Sequence, residues 1–139
     1  MKLTRMALLM FSLCLMLIGH SSVHAHSVLL ASTPGSDHPV AAPERLALQF
    51  NEGVRMLRLS VTDADNEEVT VGFSPNATAQ SEFEWELPTL EPGDYAVEWT
   101  IIGSDGHTLT AGLTFTVDPA GEAQNGLLPH ENGHGGHSH

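Results

Sequence analysis

The chain has 139 residues, with 17 acidic against five basic residues, nine histidines and a single cysteine. That length supports one small domain once its ends are set aside, and the acidic excess disfavours nucleic acid or anionic lipid as partners. There is no Gly-x-Ser-x-Gly elbow, phosphate loop or dinucleotide fingerprint, so hydrolytic and phosphoryl-transfer chemistry has little to stand on.

Lys2 and Arg5 open the chain, Met6 to Gly19 is an almost unbroken apolar run, and a polar stretch leads to Val23-His24-Ala25. This order predicts a secretory signal peptide over residues 1–25, cut after Ala25. The apolar run is shorter than the ~20 residues that span a bilayer, so direct membrane insertion is not expected. Cys14 sits inside the run, the wrong place for a lipid-attachment cysteine. Cleavage would leave Arg45, Arg55 and Arg58 against all 17 acidic residues, a formal charge of −14. It would also leave no cysteine, so stability must come from a packed core and not from disulfides.

Residues 26–118 alternate apolar and polar residues with period two. The runs are Leu46-Leu48-Phe50, Leu57-Leu59-Val61, Val69-Val71-Phe73, Phe83-Trp85-Leu87, Tyr95-Val97-Trp99-Ile101 and Leu109 to Val117. Side chains two apart on a strand share a face, so each run predicts a strand with one buried side. Pro34-Gly35, Ala64-Asp65-Asn66, Ser74-Pro75-Asn76 and Pro92-Gly93-Asp94 fall between the runs as turns. The expected fold is all-β, an Ig-like Greek-key antiparallel sandwich or barrel of about seven strands. "LEPGDYAVEW", Leu90 to Trp99, resembles the tyrosine corner of such sandwiches, with Tyr95 opening a long strand after a tight turn.

Asp105 and His107, in "IGSDGHTLTAG", are two apart and project to the same side of an extended backbone. Alone they read as turn chemistry at least as well as a metal site. His26 changes the balance, because cleavage after Ala25 makes it the first residue. A free α-amine and the imidazole Nδ1 of one histidine close a six-membered chelate ring on a metal, which an internal residue's amide cannot do. With His107 and Asp105 the set is three nitrogens and one oxygen, the tetragonal donor set that suits Cu(II).

"HSVLLASTPGSDHPVAAPERLALQFNEGV" together with "LEPGDYAVEWTIIGSDGHTLTAGLTFTV" resembles the CopC/PcoC family of periplasmic copper-resistance proteins, over His26 to about Val117. The likeness rests on the leading His, Ser32-Thr33-Pro34, Phe50-Asn51-Glu52 and Ser104 to His107. It implies a periplasmic copper-binding protein, not an enzyme, that sequesters Cu(II) or delivers it to a CopD-like inner-membrane importer. It places the metal ligands on His26, Asp105 and His107, and Glu52 in or near the copper's surroundings. One Cu(II) per mature domain and a monomer are expected. Some members carry a methionine-rich loop for Cu(I); here Met56 alone lies between Glu52 and Glu82, which points to packing. The alternatives are an N-terminal-His copper oxygenase acting on a polymer, and a metal-free Ig-like structural module. The first lacks the aromatic surface such polymers need, and the second leaves His26, Asp105 and His107 as coincidences.

Residues 119–139 are rich in Gly, Asn and Glu without apolar periodicity, which predicts a disordered tail. Its His130, His134, His137 and His139 form a tract that can collect Cu(II) or similar ions as an auxiliary site.

Overall fold

The computed structural model describes residues 27–123 and 126–130. Within them lie six strands and no helix: β1 (Leu29–Thr33), β2 (Arg45–Thr62), β3 (Gln80–Glu86), β4 (Gly93–Ile102), β5 (Thr108–Val117) and β6 (Leu128–Pro129). The strand ladders are all antiparallel, in the order β5-β4-β2-β1-β6, with β3 also on β2. The all-β antiparallel sandwich expected from the period-two pattern is what forms.

β2 makes the sandwich possible. Residues 45–50 of this 18-residue strand pair with β1 on one side and β3 on the other, while residues 55–62 pair with β4. Between them the register against β3 shifts from Gln49 to Val54, so the strand bends and passes from one sheet to the other. The buried sides of both sheets meet over Leu46, Leu48, Phe50, Val54, Met56, Val61, Val97, Trp99 and Ile101. Phe50 and Trp99 cross that gap edge to face at 6.2 Å, and Phe50 meets Phe83 in the same manner at 6.0 Å. Such pairs are worth about 0.5–1.5 kcal/mol beyond their burial. The Tyr95 hydroxyl donates to the Glu91 carbonyl at 2.8 Å, the back-bond of a tyrosine corner.

Three features differ from the sequence pattern. The register of β2 against β4 slips between Met56 and Arg58, so Met56 is fully buried and Leu57 is 40% exposed, reversing the simple alternation. The run Val69-Val71-Phe73 packs on the core without joining a ladder strand. Val69 N–H reaches Val61 O at 2.8 Å, and Gly72 at φ 62° lies outside the extended range. The runs Leu46-Leu48-Phe50 and Leu57-Leu59-Val61 are one strand, β2, so with β6 added six strands form where about seven were expected. Finally, the chain beyond Val117 does not leave the domain at once. Asp118 N–H donates to Val40 O, Ala41 N–H to Glu122 O, and β6 pairs with the edge of β1. Composition predicted disorder from residue 119, but an open strand edge supplies backbone partners to any chain that passes it. Residues 131–139 lie outside the described residues, with His134, His137 and His139 among them.

Candidate metal centre

The five-residue connection Gly103-Ser104-Asp105-Gly106-His107 joins β4 to β5 at one end of the sandwich. Gly106 holds φ 81°, a left-handed conformation that a side chain would strain. The turn closes through Gly106 N–H to Gly103 O and Gly103 N–H to His107 O, both at 3.0 Å. Asp105 caps it: Oδ1 accepts the His107 backbone N–H at 2.9 Å. The other oxygen, Oδ2, lies 2.9 Å from His107 Nδ1. A carboxylate only accepts, so the proton sits on Nδ1. The two side chains differ in exposure, 80% for His107 and 11% for Asp105. A sheltered anion thus orients an imidazole that faces solvent. Turn cap and histidine partner are one residue here, so the turn role read for Asp105 is observed, with its second oxygen on the imidazole.

Glu52 sits on the bend of β2 beside this turn. Its Oε1 accepts the Ser27 hydroxyl and its Oε2 accepts the Ser104 hydroxyl. These donors hold its carboxyl below the usual range, Ser104 first and Ser27 next, against burial and the nearby Asp105 charge. Glu52 therefore ties the start of β1 to the β4–β5 turn. Asn51 adds to the hold: its Oδ1 accepts Val28 N–H at 2.8 Å, and its own N–H donates to Val28 O at 3.0 Å. Ser27 is buried as a result. Gly103 is the floor of the cluster. A Cβ there would collide with Ser27 Oγ and lie 3.3 Å from both Asp105 Oδ1 and Glu52 Oε1.

Of the predicted ligands, the structure brings Asp105 and His107 together and sets Glu52 beside them through Ser104. His26 lies outside the described residues, but its neighbour Ser27 is part of the cluster. Among the described residues no three His, Cys, Asp or Glu side chains form a metal-holding group, so the pair needs a further donor. Sequence reasoning missed Ser27, Ser104 and Gly103. The signal available was only that Ser27 follows the predicted cleavage site closely and that Ser104 precedes Asp105. Met56 is fully buried, in the packing role read for it.

A CopC domain family model matches residues 29–118. Copper resistance protein C of Escherichia coli is 32% identical over 106 residues, covering 69% of this chain and 84% of that protein. The crystal structure of CopC from Methylosinus trichosporium OB3b superposes with TM-score 0.57 at 31% identity, over 71% of this chain and 100% of that one. PcoC, described as a methionine-rich copper resistance protein from Escherichia coli, gives TM-score 0.50 at 30% identity, over 68% of this chain and 100% of that one. Fold and relatives together define a small β-sandwich of the copper-resistance class. The chain belongs to the CopC family.

Proposed function

We propose that the mature protein is a periplasmic carrier that binds one Cu(II) through His26, Asp105 and His107, and holds it or passes it to a CopD-like membrane importer. The observation that carries this reading is the Glu52 bridge. By joining Ser27 to Ser104, it brings the residue after His26 against the turn that presents the Asp105–His107 pair. Covalent geometry keeps consecutive Cα atoms about 3.8 Å apart, so the α-amine and imidazole of a leading His26 have that turn within reach.

The pair itself fits the ion. Asp105 and His107 offer a carboxylate oxygen and an imidazole nitrogen from one turn, 2.9 Å apart. Cu(II) prefers tetragonal nitrogen and oxygen donors, which matches the set. The formal charge of −14 on the mature chain favours cations over anions near its surface. The family's copper-resistance role points to binding and transfer, with no turnover.

Titration of the mature protein with Cu(II), followed by circular dichroism and competition with a chelator, tests the assignment. Asp105→Ala and His107→Ala should each weaken binding by at least about 10-fold while the β-sheet spectrum persists. Unchanged affinity in both variants sinks the assignment.

A further inference from the structure

β6 runs antiparallel to β1, with Ser32 opposite Leu128 and Ala31 opposite Pro129. The C-terminal chain therefore travels along the edge of β1 toward Ser27, the metal end of the sandwich. It is fastened on the way. Gly121 passes so close to the Val40 backbone that a Cβ would collide with it, the Thr33 hydroxyl donates to Gly126 O, and Leu128 packs over Gly35. The last described bond is His130 N–H to Leu30 O at 2.6 Å.

This path sets His130 in a hollow along the seam between β1 and β5. Phe50 and Trp99 line it, with Ser27, Val28 and Leu29 on one side and Leu109, Ala111 and Gly112 on the other. The hollow adjoins the candidate centre from both sides, since Ser27 bonds Glu52 and Leu109 stands two residues beyond His107. His130 is its one ionisable side chain and is half-buried, and among the described residues its imidazole has no hydrogen-bond partner. It is not grouped with Asp105, His107 or Glu52 as a single metal cluster. It shares its hollow with Ser27 and lies outside the donor set. The sequence then continues to His134, His137 and His139.

We propose that His130 is a transfer ligand, an outer imidazole that takes up Cu(II) and passes it to the core site by exchange of one imidazole for another. This rests on the core site assigned above. Packing alone would be served by an apolar residue in so apolar a seam. An imidazole whose backbone is held by pairing, in a hollow that reaches Ser27, supplies a donor that holds the ion on its way to the core.

The test uses the full mature chain carrying Trp85→Phe, so that Trp99 in the hollow is the sole indole reporter for quenching by Cu(II). In stopped flow, substoichiometric Cu(II) should give a fast quenching phase followed by a slower one as the ion settles in the core. Adding His130→Ala should abolish the fast phase and slow loading, with equilibrium affinity and the electron paramagnetic resonance spectrum of the loaded protein unchanged. A second arm removes the core site with His107→Ala. Weak Cu(II) binding that still quenches Trp99 should remain there and vanish in His107→Ala/His130→Ala. Identical kinetics with and without His130 overturn the proposal. So does a fall in core affinity with an altered spectrum, which makes His130 a core ligand. If His107→Ala binds as tightly as its parent, the core assignment fails, and His130 is judged separately by whether its loss removes the fast phase.

Discussion

At the scale of single residues, the centre depends on groups far apart in sequence and small in size. Ser27 and Ser104 lie 25 and 52 positions from Glu52, and no local pattern links a hydroxyl to a carboxylate over such distances. Asp105 and His107 were legible because turn capping and metal binding draw on the same two residue types at the same spacing. The depressed Glu52 carboxyl gives a pH signature. Its ionised form is favoured in the folded state, so it contributes stability above its unfolded pKa and loses it as pH falls through the lower, folded value. Thermal melts of apo protein and Glu52→Gln should therefore differ at neutral pH and converge in acid. A difference that stays constant with pH would mean that the variant disturbs packing and not the ionised bridge. Gly103→Ala offers a second check, because its Cβ intrudes on Ser27, Glu52 and Asp105 together. Cu(II) affinity should fall by about 10–100-fold, the scale of losing a group that orients ligands. The circular dichroism spectrum should remain that of the folded sandwich.

At the scale of strands, alternation identified most of the elements, and what it missed is local irregularity in the backbone. A bulge shifts one strand by a residue without any change in composition, so alternation alone put Leu57 on the buried face and left Met56 out of the run. The same holds for Val69, Val71 and Phe73, which have strand periodicity and partly bury their side chains, yet lie off the ladder, with Gly72 at φ 62° among them. The bulge can be tested by reversed sensitivities. Met56→Ala empties a site with no exposure and should cost about 2–5 kcal/mol in urea unfolding. Leu57→Ala removes a side chain that is 40% exposed and should cost well below that, under about 1 kcal/mol. Straight alternation requires the opposite order. β6 was illegible for a different reason: two residues paired on an edge have no period to read, and Gly-rich composition masks them.

At the scale of the molecule, the candidate centre lies where the two sheets meet. Ser27 leads into β1 in one sheet, while Asp105 and His107 belong to the β4–β5 turn of the other, and Glu52 stands on the bend of β2 between them. An ion held by His26, Asp105 and His107 would add a tie between the sheets, so binding and stability should rise together. Ligand at 100 times its dissociation constant stabilises by about 2.7 kcal/mol, which raises the melting temperature of a domain this size by several degrees. The decisive variant places one glycine ahead of His26 and leaves every side chain unchanged. With cleavage after Ala25 as proposed, it converts the α-amine of His26, whose pKa in an unperturbed terminus is about 7.7–8.0, into an amide that cannot ligate as a neutral base. The new terminal amine cannot close the same six-membered ring with that imidazole, so copper loses both a nitrogen donor and its chelate. The thermal shift on adding Cu(II) should then largely disappear, and affinity should fall beyond the ~10–100-fold typical of losing an orienting partner. Electron paramagnetic resonance must accompany the melt, because the added residue can build a substitute site from its amine and a deprotonated amide, with different nitrogen couplings. An extended protein with the same affinity, the same copper-dependent shift and the same spectrum would show that His26 does not act as a two-nitrogen ligand.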